Sequence, residues 1–316
     1  MDHTHTHQFW KNKKVLLTGG AGFLGSYVHE LLQEKNPKEI RIPRSNIYDL
    51  RDRRQAHICM KDVDIVIHLA AVVGGIGFNM RHPGKIYYDN VLINTNVLEE
   101  ARLQGVKKII TIGSVCAYPK ILPLPFTEDM LWSGYPEETN APYGLTKRML
   151  LTQTQTYRLE YGLHAIHIIP TNLYGPKDKS HPRYSHVIPA LIIKLLRAKK
   201  QKLAGVSIWG TGNASREFLY VQDAAEAVIR ASEIYDKKEP LNIGSGQEIY
   251  IHELVSSIAT LVGYRGKILW DHSKPDGQPR RLLDSSRAKK EFGFTAKTKF
   301  IDGLRKTISW YENEGF

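Results

Sequence analysis

Lys14-Val-Leu-Leu-Thr18, running straight into Gly19-Gly-Ala-Gly-Phe-Leu-Gly25, is the stretch whose reading decides the fold. The first five residues read as a short buried strand, and Ser26 to Glu34, after the glycines, as a helical stretch. Gly20, Gly22 and Gly25 fit the spacing G-x-G-x-x-G, with Gly19 as an extra. Glycines there let the backbone turn tightly and approach a pyrophosphate, whose charge the helix N-terminus stabilises. The same residues would also make a tight strand–helix turn without a ligand. The position after the first strand of an α/β pattern is what favours a dinucleotide.

That pattern continues along the chain. Asp64-Ile-Val-Ile-His-Leu-Ala-Ala71, Lys108-Ile-Ile-Thr-Ile-Gly113 and Ala165-Ile-His-Ile-Ile169 are apolar runs of strand length, and Val91 to Gly105 and Tyr143 to Tyr161 have helical period. Short apolar strands alternating with helices argue a parallel sheet covered on both faces. From Tyr174 the pattern loosens: Pro176, Pro182 and Pro189 interrupt a loop-rich region that leads into a basic helix, Val187 to Lys200. Pro240-Leu-Asn-Ile-Gly244 reads as one more strand. The expected fold is α/β, a Rossmann-type doubly wound parallel sheet with a smaller C-terminal α/β lobe. Residues 1–173, rejoined by about 214–246, would form the dinucleotide-binding domain, and 174–213 with 247–316 the lobe.

Composition narrows the class. The 316 residues carry 44 Lys plus Arg against 32 Asp plus Glu, a formal charge of +12, with 42% hydrophobic residues. Disorder is excluded by the apolar content, and no uncharged apolar run approaches the ~20 residues that a bilayer span needs. Two cysteines, Cys59 and Cys116, provide neither a disulfide framework nor a cysteine-rich zinc site. The alternating His3, His5 and His7 have no carboxylate cluster beside them, so a tail is expected rather than a metal site. Met1 to Lys14 has no apolar export signal, so the expected location is the cytoplasm. Residues 151–200 hold eight basic and two acidic side chains, and residues 251–300 hold ten and five. Such a bias suits nucleic acid, a membrane surface or a phosphorylated small molecule, and also a plain solvated face.

Cofactor choice is read past the second strand, where an acid favours NAD and an arginine accommodates the extra phosphate of NADP. Ile40-Arg-Ile-Pro-Arg-Ser45 offers Arg41 and Arg44 and no acid before Asp49, which points to NADP(H) with Arg44 as the better candidate. Tyr143 and Lys147 stand four residues apart on one helix face. A lysine beside a phenol favours the phenolate and is expected to lower a tyrosine pKa from ~10 towards neutrality. By spacing alone the pair is an ordinary helix-surface contact. Ser114, however, follows the strand Lys108–Gly113 at the carboxyl end, where open α/β sheets place ligands.

A glycine turn, such a serine and a Tyr-x-x-x-Lys pair, in this order, resemble the short-chain dehydrogenase/reductase superfamily, in its extended branch acting on nucleotide sugars. Within that branch, Gly74-Gly-Ile76, Ser114-Val-Cys-Ala-Tyr-Pro119, Pro170-Thr-Asn-Leu-Tyr-Gly-Pro176, Ser185-His-Val-Ile-Pro-Ala-Leu191, Arg216-Glu-Phe-Leu219 and Lys274-Pro-Asp-Gly-Gln-Pro-Arg280 resemble the GDP-L-fucose synthase family. Its members are NADPH-dependent 3,5-epimerase/4-reductases of GDP-4-keto-6-deoxy-mannose. The resemblance implies that Cys116 and His186 act as base and acid at the carbons beside the keto group. Ser114 and Tyr143 would polarise the keto oxygen, and Tyr143, tuned by Lys147, would supply the proton for reduction. It implies cofactor contacts at Gly19, Gly22, Phe23, Leu24, Gly25, Leu69, Ala70, Ala71, Pro170 and Leu173, beside Tyr143 and Lys147. Substrate contacts would come from Asn172, His186, Lys194, Trp209, Arg216 and Arg281, and the assembly would be a homodimer.

The sequence departs from the family's usual pattern in three places: Val115 replaces a serine, Lys194 replaces an arginine, which keeps the charge but loses the bidentate fork, and the second-strand region Arg41 to Ser45 differs locally. The rival readings keep the chemistry and change the sugar to a 6-deoxy-heptose or colitose precursor, or drop the epimerisation. A nucleic-acid binder would show aromatic residues interleaved with the charge in a recognised module, and none is seen. The two basic blocks are therefore expected to face a GDP-sugar.

Overall fold

The computed structural model describes residues 8–178, 186–274 and 276–316; His3, His5, His7, Pro182 and Ser185 lie outside the described residues. The strands are β1 (Lys14–Thr18), β2 (Glu39–Arg41), β3 (Ile65–His68), β4 (Lys108–Ile112), β5 (His164–Pro170), β6 (Asn172–Tyr174), β7 (Gly205–Trp209), β8 (Ser215–Tyr220), β9 (Leu241–Ile243), β10 (Glu248–Tyr250) and β11 (Lys267–Asp271). The helices are α1 (Phe23–Glu34), α2 (Arg53–Met60), α3 (Ile76–Arg81), α4 (Pro83–Leu103), α5 (Ala141–Tyr161), α6 (Val187–Lys200), α7 (Val221–Ile234), α8 (Ile251–Val262), α9 (Ser286–Phe292) and α10 (Phe300–Asn313).

Six parallel strands form the main sheet in the order β2-β1-β3-β4-β5-β9. Side chains alternate across a strand, and the two faces have separate cores. Val15, Leu17, Ile65, Ile67, Ile110, Ile112, Ile166 and Ile168 enter one, under α1 and α7. Leu16, Val66, Ile109 and Ala165 enter the other, beneath α2, α4 and α5. Both faces are buried, which is why the strands read as continuous apolar runs, and the expected doubly wound sheet is the observed one. Strand order reverses between β1 and β3, so a crevice opens at their carboxyl ends.

The smaller sheets, β10-β8-β6 and β11-β7, share a third core with α6, α8 and α10. The basic helix falls where expected, at Val187–Lys200. Helix α4 begins earlier than its periodic stretch suggested, with Pro83 in its first turn. The apolar period fails over its first turns because the buried face carries Asp89, Asn90 and Asn94.

Glu217, on β8 and fully buried, ties the two parts together. Its carboxylate accepts the backbone N–H of Gly246 at 2.7 Å and of Leu283 at 2.9 Å. Its backbone carbonyl accepts from Thr171 Oγ1 and Asn172 Nδ2. A side chain at Gly244 would meet Glu217 Oε1 at 2.3 Å, so the loop following β9 closes directly on the carboxylate. Glu217→Gln turns an NH2 towards N–H donors and should cost about 2–3 kcal/mol, the range for a lost charged hydrogen bond. Urea unfolding measures this, and a change below about 0.5 kcal/mol, the size of an ordinary surface substitution, would contradict the role.

Candidate active site

The glycine turn is built by backbone contact. Gly19 has φ +70°, and a Cβ there would lie 2.8 Å from Ala70 N; a Cβ at Gly25 would lie 2.1 Å from Gly19 O. The turn thus packs against Leu69-Ala70-Ala71 at the end of β3, with Ala70 N–H donating to Thr18 Oγ1. The N-cap, Gly22, has no capping side chain, which leaves the first N–H groups of α1 available to an anion. Phe23, Leu24, Leu69 and Leu173 anchor this rim by packing on the core under α1. Pro170 ends β5, paired with Ile243. A cavity of about 460 Å³ opens in front of the turn, lined by Gly22, Phe23, Ser26, Gly74, Asp178 and His186 among others.

Of the two arginines past β2, Arg41 is unavailable. Its guanidinium pairs with Glu39 and donates to the carbonyls of Cys59 and Lys61. Arg44 is exposed, in a turn where its carbonyl accepts from the N–H of Ile47 and Tyr48, and its side chain has no ion pair among the described residues. Asp49 is held by Arg51.

Ser114, Cys116, Tyr143 and Lys147 gather beyond β4. Ser114 caps a short 3-10 turn, its Oγ accepting the N–H of Cys116 at 3.2 Å. Gly144 permits the approach of α5, since a Cβ there would meet Cys116 O at 2.3 Å. Lys147 Nζ stands 5.5 Å from the Tyr143 ring centroid and donates to Ile112 O at 2.8 Å. Burial pulls the Lys147 ammonium down to about 8. Burial, then the nearby Cys116 charge, pushes the Tyr143 phenol up rather than down, which corrects the sequence expectation. Desolvation outweighs a cation that lies over the ring face, itself weakened by burial.

Beneath this pair runs a fully buried relay. Thr18 Oγ1 meets His68 Nδ1 at 2.8 Å, His68 Nε2 meets Asn94 Oδ1 at 3.1 Å, and Asn94 Nδ2 donates to Thr146 O beside Lys147. Desolvation and the Lys147 charge pull both His68 and His167 down to about 3, so both are neutral. The relay joins the end of β1 to the helix that carries Tyr143 and Lys147.

The opposite wall comes from β8 and the segment that ends at Arg281. Arg281, 5% exposed, donates through Nε to Gln278 Oε1 at 2.6 Å and through Nη1 to Cys116 Sγ at 3.7 Å. Arg216 donates to the carbonyls of Ser215, Gln278 and Asp276. Burial first, then the Arg281 charge, brings Arg216 down to about 9, with Cys116, Glu137 and Asp276 opposing. Asn172 gives its amide N–H to Glu217 O.

Three expected ligands stand apart from this cluster. His186 lines the glycine-turn cavity, with Nδ1 3.4 Å from the buried Asp178, whose hydrogen bond pushes the imidazole pKa up. Lys194 Nζ donates to Ser207 O, and burial lowers its pKa. Trp209, two residues on along β7, is exposed, with Lys274 Nζ 5.8 Å from its ring. Asp178, Gln278 and His68 were not singled out from sequence, although Gln278 sits inside a quoted motif and His68 inside a quoted strand.

The model of the NAD dependent epimerase/dehydratase family matches residues 15–244. GDP-L-fucose synthase 1 of Arabidopsis thaliana is 40% identical over 305 residues, which cover 95% of this chain and 94% of that protein. GDP-L-fucose synthase of Escherichia coli is 36% identical, covering 96% and 98%. The crystal structure of a GDP-L-fucose synthetase from Naegleria fowleri bound to NADP is 27% identical, with a TM-score of 0.86 over 96% of this chain and 95% of that one. The chain belongs to the NAD dependent epimerase/dehydratase family.

Proposed function

We propose that this chain converts GDP-4-keto-6-deoxy-D-mannose to GDP-L-fucose by 3,5-epimerisation and NADPH-dependent 4-reduction. One observation carries the reading: a cysteine sulfur, Cys116 Sγ, stands beside the Tyr143–Lys147 pair and on an arginine, a group that reduction alone does not require. The relatives' printed names support it.

The residues suit the cofactor. The turn at Gly19, Gly22 and Gly25 leaves no room for side chains, and the uncapped α1 N-terminus faces the cavity. These residues would hold NADPH, whose chemistry when bound would be hydride donation to carbon 4. Ser114 and the Tyr143 hydroxyl polarise the 4-keto oxygen, which acidifies the protons on carbons 3 and 5. Cys116 removes those protons, and His186, whose cation the Asp178 carboxylate favours, returns protons to the other face. Tyr143 then protonates the oxygen on carbon 4, and the charge of Lys147 stabilises the phenolate left behind. Lys194 holds the nucleotide diphosphate, and Trp209, Arg216 and Arg281 lie against the sugar and the nucleotide. The enzyme acts in the cytoplasm as a homodimer, and the exposed Tyr87, Tyr88, Leu103, Leu159 and Tyr161 on α4 and α5 support pairing through those helices. The dinucleotide-binding unit comprises residues 1–173 with about 214–246, and the substrate lobe the remainder.

Incubation with GDP-4-keto-6-deoxy-mannose and NADPH, followed by product identification, tests the assignment; turnover only with a 6-deoxy-heptose or colitose precursor would move it to that sugar. Cys116→Ser and His186→Asn should suppress solvent deuterium uptake at carbons 3 and 5 by about a hundredfold, the usual worth of a general acid or base. Wild-type exchange in both would remove the epimerase role. Arg44→Ala should raise the KM for NADPH about tenfold and leave that for NADH unchanged, as expected for one lost phosphate contact. Equal or higher wild-type activity with NADH would contradict the NADP reading. Because Lys147 titrates at about 8, below its ordinary 10.5, its charge is present under that pH and lost above it. The reductase kcat/KM should therefore fall as pH rises through about 8, and Lys147→Arg should carry the plateau higher. A flat profile to pH 9.5 would show that the Lys147 charge is not used.

A further inference from the structure

Arg281 is buried and Arg216 half-buried, and among the described residues neither guanidinium forms an ion pair with a carboxylate. Buried charge without a counter-ion is costly, and proteins place it beside a group that can carry the opposite sign. Among the described residues the hydrogen bonds of Arg216 go to the backbone carbonyls of Ser215, Gln278 and Asp276. Among the described residues Arg281 has one ionisable hydrogen-bond partner, Cys116 Sγ, at 3.7 Å. Its geometry is fixed from behind: Nε bonds Gln278 Oε1 at 2.6 Å, and Gln278, 1% exposed, donates from Nε2 to Pro119 O at 3.1 Å. Pro119 lies three residues past Cys116, so the loop that carries the sulfur also anchors the residue that aims the guanidinium at it. Arg280, next in sequence, turns outward to Glu248, which leaves Arg281 alone directed inward.

We propose that Arg281 is the counter-ion of the Cys116 thiolate and so a positioning residue that readies this sulfur to act as a base. The proposal rests on the reading of Cys116 as the base at the carbons beside the keto group. In that step the thiolate takes the carbon-bound proton, and the C–H electron pair moves into the adjacent carbonyl, whose oxygen becomes the enolate anion. Sulfur ends as a neutral thiol, and the negative charge has moved from Sγ to that oxygen. Both guanidinium groups stay charged throughout, so the net charge of the site is unchanged.

Thiolate reactivity can be read without any sugar. The two cysteines are Cys59, 2% exposed, and Cys116, so iodoacetamide treatment of the native enzyme, with peptide mapping, follows Cys116. At pH 7, Arg281→Met should slow alkylation of Cys116 about tenfold, the effect of losing one adjacent cation. Arg281→Lys should restore the rate to within about threefold, since it keeps the charge. A residue that merely packed against the sulfur would give the opposite sign, because truncating it uncovers Sγ and speeds alkylation. A wild-type or faster rate in Arg281→Met overturns the proposal. Should that variant fail to fold, Gln278→Leu, which leaves the guanidinium unanchored, should slow alkylation at least threefold, and a wild-type rate there overturns it equally. If alkylation depends on Arg281 while no GDP-keto sugar is epimerised, the counter-ion stands and the substrate reading fails. If turnover is normal while alkylation ignores Arg281, the reverse holds.

Discussion

Burial of the Lys147 ammonium against the carbonyl of Ile112 sets the terms for everything around it. A cation placed at the end of a central parallel strand has little water to solvate it, so the buried histidines near it answer to its charge. His68 and His167 respond by staying neutral, and His68 becomes a link in a hydrogen-bonded chain from β1 to α5. Tyr143 keeps its proton because its phenolate is more poorly solvated here than Lys147 can offset. The phenol is thus held in the form that donates, and the phenolate needs the ammonium only after the proton has left. A tyrosine ionised at rest would have had nothing to give.

Placement of that ammonium depends on backbone contacts with no side chain in them. Gly144 brings α5 against the carbonyl of Cys116, and Gly19 brings the phosphate-type turn against Ala70. These two approaches put helix α5 and the glycine turn at the same edge of the sheet, where the order reverses between β1 and β3. Glu217 extends the arrangement outward, because its two ends fasten the loop after β9 and strand β6 to β8, from which Arg216 projects.

The strands were legible because both faces of a parallel sheet are dry, so Val15–Thr18, Ile65–His68 and Lys108–Ile112 read as unbroken apolar runs. The beginning of α4 was not, because Asn90 and Asn94 are buried for their hydrogen bonds, and polar residues on an inner face erase the helical period. The Tyr143–Lys147 spacing was plain in the sequence. The direction of the tyrosine's shift was not, since it depends on how much water the fold removes, and spacing carries no record of that. Arg41 and Arg44 looked equivalent as neighbours of the second strand. Only the fold shows that Arg41 is spent on Glu39 and two carbonyls. The surplus positive charge was assigned to the nucleotide by position along the chain, but Arg280 is turned to Glu248, Arg287 to Glu128 and Asp129, and Lys297 to Glu226. Part of the basic block at 251–300 is therefore neutralised locally, while Arg281 faces inward.

The two groups proposed to move protons on carbon are differentiated by their neighbours. Thiol and imidazole both titrate near neutrality, so residue type alone leaves either free to be base or acid. Their partners remove the ambiguity: a guanidinium stands against Cys116, and a carboxylate, Asp178, against His186. A cation beside sulfur favours its anion, and an anion beside imidazole favours its cation. In the proposed assignment the first would accept a proton and the second donate one, which is how paired groups of similar intrinsic acidity acquire distinct roles. The two partners also come from different segments, Arg281 after β11 and Asp178 after β6. Exchanging the sign of either partner would leave two bases or two acids, and epimerisation, which needs one of each, would stop while the reductive machinery around Tyr143 and Lys147 remained intact.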